Sequence, residues 1–393
     1  MNIRFEILSI IFPFALLLSL FACESNDNPD MAEPEGIYYS DTQFVMGADL
    51  SYVNALMNAG AVYRDTAGNT KNPYEIFRLL GTNLVRVRKW HTPSWQKELY
   101  GSIKYHEAVD VARTIRESKK AGMKVLLDLH YSDNWADPHK QETPIAWKGL
   151  PLTALSDSVY QYTYKYLKYL QIQNLVPEYI QIGNENNGGI CFPAGEISGG
   201  NFFNFCTLLA AGSKAIRDFS NQSEIKPKII IHVAQFQHAK WWIEGVLQSG
   251  VAVDYDILGV SHYYKWSEVN DPEKIKSIIH QLINTTKKDL WIVETAFPWS
   301  VHNKDNYPNI LSEQAIPSGY MASRESQNQY LQDLTQIIID GGGKGIIYWE
   351  PAWISSSFRD QWNIGSAWEN AAYFDYSNKV HPTLKFMRHP YIF

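Results

Sequence analysis

The chain has 393 residues, 45% hydrophobic and 19% charged, a globular composition with ample length for one large core. A net charge of −6 gives no basis for a polyanionic partner, so no nucleic acid is expected. Aromatic residues make up 14%, with 13 Trp and 24 Tyr, a high share of which packing accounts for most.

Residues 1–22 read as a targeting segment, with Arg4 for positive charge and a nearly unbroken apolar stretch over 7–21. It ends in Leu20-Phe21-Ala22-Cys23, which resembles the lipobox of bacterial lipoproteins. That resemblance implies cleavage before Cys23 and lipidation of its thiol; an uncleaved anchor, or a cleaved signal with an incidental Cys, is the alternative. Residues 23–40 start polar and acidic and read as a flexible tether. A similar tract marks surface export in Bacteroides-like bacteria. The expectation is a monomer anchored by lipid to the cell outer membrane, facing the exterior. Cys191 and Cys206 either form a disulfide, as export permits, or are separate buried thiols.

The rest of the chain, 41–393, contains no linker or tandem repeat and reads as one domain. Short apolar runs bounded by polar residues predict strands at 44–49, 83–88, 124–129, 179–183, 228–234, 257–262, 291–294 and 345–349. Helices are predicted between them at 73–80, 105–121, 156–171, 202–219, 239–249, 272–286 and 326–340. Ser326 is the expected N-cap of the last helix, and Gly81 and Gly122 sit where a helix stops before a strand. Eight strands alternating with helices predict an α/β fold, a (β/α)₈ barrel with long loops. A doubly wound open sheet is the alternative, but Asp49-Leu50-Ser51-Tyr52 follows the first strand where that fold usually carries a Gly-rich loop.

Polar residues gather at the C-terminal strand ends, where barrel enzymes keep their chemistry. They are Asp49 and Tyr52; Arg86 and Arg88; His130 to Asp133; Asn184 and Glu185; His262, Tyr263 and Tyr264; Glu294; and Trp349 with Glu350. Strand ends four and seven each carry a glutamate, and facing carboxylates are what glycoside hydrolysis requires. Taken singly, each would more often be a structural ion-pair partner. As a pair, Glu185 is read as the acid/base, its proton retained through repulsion from an ionised Glu294, the nucleophile. Arg86 and Arg88 share a face by period two and favour the Glu294 anion. Tyr263 or Tyr264 would orient Glu294, and Asn184 would hydrogen-bond a sugar 2-hydroxyl.

Five stretches carry a family resemblance. They are Met46-Gly47-Ala48-Asp49-Leu50-Ser51-Tyr52, Asn83-Leu84-Val85-Arg86-Val87-Arg88, Leu127-Asp128-Leu129-His130-Tyr131-Ser132-Asp133-Asn134-Trp135-Ala136-Asp137-Pro138, Gln181-Ile182-Gly183-Asn184-Glu185 and Val293-Glu294-Thr295-Ala296-Phe297-Pro298-Trp299. In this order they resemble glycoside hydrolase family 53, the endo-β-1,4-galactanases that cut galactan side chains of pectin (type I arabinogalactan). Lys89, His91 and Asn186 depart from the family pattern, which touches subsite detail rather than the chemistry. The resemblance implies retaining endo-hydrolysis of β-1,4-galactan, with Asp49, Arg86, Arg88, His130, Asn184, His262, Tyr263, Trp299 and Trp349 binding substrate. Trp349 would floor the −1 sugar. Trp90, Trp135, Trp299 and Trp353 are further candidate platforms, whereas Trp147 and the Trp241-Trp242 pair read as packing.

The resemblance also implies one structural Ca²⁺ between the loops after strands seven and eight, with no cofactor needed for chemistry. Asn303, Asp305 and Asn309 would form one arm, with Tyr307 where a His is usual, and Ser357 and Asp360 the other. Two packed polar loops without an ion are the alternative. A noncatalytic surface glycan-binding lipoprotein is the rival function. Another is a sister retaining endo-glycanase, a mannanase or glucanase, since fold analogy alone does not choose the sugar.

Overall fold

The computed structural model describes residues 36–393; the targeting segment, Cys23 and most of the tether lie outside the described residues. The domain begins earlier than residue 41. The Ile37 amide donates to Arg388 O at 3.0 Å, the Tyr39 hydroxyl donates to His389 O at 2.6 Å, and the Arg388 guanidinium lies 3.8 Å from the centre of the Tyr38 ring. Residues 37–40 are therefore docked chain rather than tether.

Eight parallel strands close a barrel: β1 Val45–Asp49, β2 Leu84–Lys89, β3 Lys124–Leu129, β4 Tyr179–Ile182, β5 Lys228–Ala234, β6 Ile257–Ser261, β7 Asp289–Thr295 and β8 Gly345–Tyr348. Each pairs with its neighbour in chain order, and β8 closes on β1. Helices cover the outside, so both strand faces are buried, which explains apolar runs without alternation. The seven predicted helices are present, Pro73–Leu80 and Pro272–Thr286 with the expected bounds and the other five with shifted ends. The last, Arg324–Asp340, is capped by Ser323, not Ser326: Ser326 is already inside the helix, and its amide donates to Ser323 Oγ at 3.0 Å. Cys191 and Cys206 are buried free thiols, so the disulfide alternative is set aside.

The barrel interior changes character along its axis. Val45, Leu84, Leu126, Tyr179, Ile230, Ile257, Trp291, Val293 and Ile347 form a separate apolar cluster that fills its lower part. Glycine makes room there: a Cβ on Gly47 would lie 2.7 Å from Ile347 Cγ1. Two residues further along β2, β3, β4 and β5, the same inward face becomes polar. Leu84 gives way to Arg86 and Arg88, Leu126 to Asp128, Tyr179 to Gln181, and Ile230 to His232. The apolar plug thus supports a buried polar layer at the C-terminal end of the barrel.

Candidate active site

Glu294 reaches that layer through an irregularity in β7. Val260 of β6 pairs with Ile292, but the next residue, Ser261, pairs with Glu294, so Val293 is the extra residue of a bulge. Val293 packs inside the barrel, and a regular strand would turn the following residue outward. The bulge instead lets consecutive residues face inward. Glu185 arrives by another route: its backbone is left-handed, with φ 47°, just after Gly183 at φ 79°. A non-glycine residue in that region signals a conformation imposed by its surroundings.

Arg86 is the hub. Its Nη1 lies 3.0 Å from Asp49 Oδ2 and 2.8 Å from Glu294 Oε1, and its Nη2 lies 2.8 Å from Asp128 Oδ2. Nη2 also donates to Asn184 Oδ1 at 2.8 Å. The group is almost wholly buried, so these partners offset the large cost of desolvating a cation. The Tyr263 hydroxyl donates to Glu294 Oε2 at 2.9 Å. A carboxylate oxygen of Glu185, one of Glu294 and a ring nitrogen of His232 lie within 4.8 Å of one another. These three do not make a metal centre. The guanidinium occupies one oxygen of Glu294, and both His232 nitrogens are engaged by protein groups.

The two carboxyls differ in charge environment. Burial first, and then the Glu294 charge, hold the Glu185 pKa well above the usual carboxylate range. Burial also raises Glu294, but the Arg86 cation and the Tyr263 hydrogen bond pull it back. When one proton is shared between them, it resides on Glu185.

Glu185, Glu294, Arg86, Arg88, His130, Asn184, Tyr263 and Trp349 line one cavity of about 1020 Å³. Trp135 and Trp353 line it too. Other expected residues stand elsewhere. Asp49 is fully buried behind Arg86 and is not in the cavity wall. His262 is buried beneath the wall, its backbone amide donating to Glu294 O at 2.8 Å. Trp299 turns away and packs between Tyr376 and His381, at 4.7 and 4.8 Å between ring centres. Trp90 is buried below the floor. Tyr263, not Tyr264, reaches Glu294. The arginines divide their work: Arg88 pairs with Glu350 at 2.5 Å and lies 4.3 Å from the ring centres of both Tyr52 and Trp135, so it supports a platform rather than the nucleophile.

Sequence reasoning missed Trp241, which is half exposed on the cavity rim while Trp242 is buried. It also missed Trp266, Trp362 and Trp368 in the wall, and the buried Asp128, Gln181, His232 and Ser261. The available signal was a lone polar residue inside an apolar strand, as in Lys-Ile-Ile-Ile-His-Val-Ala and Leu-Leu-Asp-Leu.

The five residues expected to hold calcium do not fit one ion as a set. Asp305 accepts from the amides of Tyr307 and Ser366 at 2.8 and 2.9 Å. Asp360 accepts from the amides of Trp362 and Asn363 and from the Tyr307 hydroxyl at 2.9 Å. Tyr307 thus engages both carboxylates, Asp305 with its amide and Asp360 with its hydroxyl. Asn303 is bonded by Asn309 at 2.8 Å, and Ser357 donates to Ala59 O at 2.7 Å, on a different side.

A closed parallel barrel with two facing carboxyls at strand ends four and seven, one clamped by a cation and one whose pKa burial raises, defines a glycosidase of the (β/α)₈ class. The comparisons narrow the class. The model of glycosyl hydrolase family 53 matches residues 45–387, and the chain belongs to that family. It is 42% identical to an arabinogalactan endo-beta-1,4-galactanase of Cellvibrio japonicus (strain Ueda107), over 86% of this chain and 88% of that one. It is 30% identical to an endo-beta-1,4-galactanase of Bacillus subtilis (strain 168), over 87% and 85%. The Ignisphaera aggregans GH53 catalytic domain superposes with a TM-score of 0.80 at 30% identity, covering 91% of this chain and all of that one.

Proposed function

We propose that this protein is a retaining endo-β-1,4-galactanase acting on galactan, with Glu294 as nucleophile and Glu185 as acid/base. The observation that carries the reading is the asymmetric pair: oxygens within 4.8 Å, with Arg86 and Tyr263 both on Glu294. Retaining enzymes hold their carboxyls about 5–5.5 Å apart, whereas inverting enzymes need a wider gap for water. Glu294 attacks the anomeric carbon while Glu185 gives its proton to the departing glycosidic oxygen. Glu185, now ionised, takes a proton from the water that displaces Glu294, and the initial protonation state returns. Asn184 is held by Arg86 and by its own donation to Ala136 O at 2.9 Å, which places it to meet the 2-hydroxyl. Trp349, Trp135 and Trp353 offer flat apolar faces to sugar rings. The choice of galactan over mannan or glucan is supported by what the relatives are named for. Proton NMR of early products from linear β-1,4-galactan should show the β-anomer first. Initial α-anomer would remove the nucleophile role from Glu294, and preferential cleavage of mannan or glucan would overturn the substrate.

We further propose that the enzyme is a monomer held on the outer membrane by lipidated Cys23 and facing the exterior. The support is the apolar run ending in Leu20-Phe21-Ala22-Cys23. Intact-mass analysis of native membranes should find the chain beginning at an acylated Cys23; an unmodified Cys23 there would sink the idea.

A further inference from the structure

Two large rings stand about half exposed on the cavity rim with no part in the chemistry above. They are Trp241, in the helix Phe236–Gln248, and Trp266, in the turn after β6. A lone surface indole would need no explanation, but these two line the same cavity as Glu185 and Glu294. Trp241 is also braced. Its ring meets Phe202 edge-on, with centres 5.1 Å apart. Phe202 is itself buried against Gly245, one turn further along the same helix face, where a Cβ would lie 2.2 Å from its ring. Gln237 ties the helix to the turn that carries Trp266. Its Nε2 donates to Trp266 O at 3.1 Å, and its Oε1 accepts from the Glu268 amide at 3.3 Å. A platform fixed in advance loses little freedom when a ligand lands on it.

Position around the barrel identifies that ligand. The line from Glu185 after β4 to Glu294 on β7 divides the mouth unequally. Strands β5 and β6 lie on one side, and β8, β1, β2 and β3 on the other. The bond to be cut lies between the two carboxyls, so the polysaccharide crosses that line. The sugar that Glu294 attacks belongs on the larger side. Asn184, which meets its 2-hydroxyl, is held there by Arg86 of β2 and by Ala136 after β3. The other side, with Trp241 and Trp266, is left for the segment that departs with the protonated oxygen. We infer that Trp241 is a specificity-determining platform for the departing segment of the galactan chain, stacking on the apolar face of a sugar ring beyond the bond that is cut. The inference rests on the galactanase reading, with Glu185 and Glu294 in the roles given above.

The test compares wild type, Trp241→Ala and Trp241→Phe on linear β-1,4-galactan and on an aryl galactobioside, which has no sugar on the departing side. Trp241→Ala should lower the ratio of kcat/KM for galactan to that for the aryl substrate about 2–10-fold. Trp241→Phe, which keeps a flat ring, should restore most of it. With reducing-end-labelled galactopentaose, cleavage by Trp241→Ala should move toward the reducing end, because fewer sugars are held on the departing side. A purely structural role would depress both substrates alike and lower the melting temperature, and that result overturns the inference. Wild-type cleavage of galactan with an unmoved ratio in Trp241→Ala overturns the inference alone. Absence of galactan cleavage by the wild type overturns the function on which it rests.

Discussion

The two carboxyls sit a few ångströms apart in one layer of the barrel, yet they are built from opposite materials. Glu294 is held by charge: a buried guanidinium at 2.8 Å and a phenol at 2.9 Å, with Asp49 and Asp128 completing the arginine's coordination. Glu185 is held by neutral groups and by geometry: a left-handed backbone, the Gln141 amide on the Asn184 carbonyl and on its own, and His232 Nδ1 accepting from its backbone N–H. A cation stabilises an anion, whereas burial among neutral groups preserves a proton. Equal residue types therefore reach unequal protonation states without any difference in sequence context that a carboxyl itself reports.

Replacing either glutamate should have the largest effect and also test the asymmetry. Glu294→Gln and Glu185→Gln should each lose galactan hydrolysis by at least about 10²–10⁴-fold, with folding intact by circular dichroism. With an aryl galactoside whose leaving group needs no proton, only Glu185→Gln should still release aryl alcohol in a burst. Equal loss on that substrate would mean the roles are not divided as described.

Next in size is Tyr263→Phe. The phenol stabilises the Glu294 anion, so its removal raises the nucleophile's pKa and moves the lower limb of the kcat/KM profile upward. A hydrogen bond to a charged group corresponds to about one pH unit. The upper limb, where Glu185 loses its proton and activity falls, should stay in place. Movement of the upper limb alone would exchange the two assignments.

The aromatic residues give a smaller contrast. Trp349→Ala should raise KM for galactan several-fold, because Trp349 lines the cavity. Trp299→Ala should leave KM near wild type and lower the melting temperature instead, since its ring packs on Tyr376 and His381. A truncated buried aromatic typically costs about 3–5 kcal/mol. A large KM effect at Trp299 would show that the loop turns inward when substrate binds.

The smallest effect is expected from chelation. Asp305 and Asp360 are already satisfied by backbone amides and Tyr307, so EGTA should leave both melting temperature and activity unchanged. A clear fall in melting temperature, together with calcium by elemental analysis, would show that these loops rearrange around an ion that stabilises by mass action.

Much of this was legible in the chain itself. Eight apolar runs with polar ends specify a parallel barrel, because strands covered on both faces must be apolar along their whole length. Asn184-Glu185 and the strand-seven Glu294 announced themselves as carboxylates at the tips of such runs, and period two placed Arg86 and Arg88 on one face. What the chain could not reveal was how each strand end is steered. The Val293 bulge turns Glu294 inward against the simple alternation, and β7 shifts register there against both of its neighbours. Arg88 parts from Arg86 because Glu350, distant in sequence, closes the barrel beside it. His232 is an unremarkable polar residue in an apolar strand until closure sets it against the Glu185 backbone N–H and Ser261. Alternation in the sequence places the side chains of the regular strands toward the barrel axis; only the closed barrel steers the irregular strand ends and decides which side chains meet, because each contact there joins strands separated by tens to hundreds of residues.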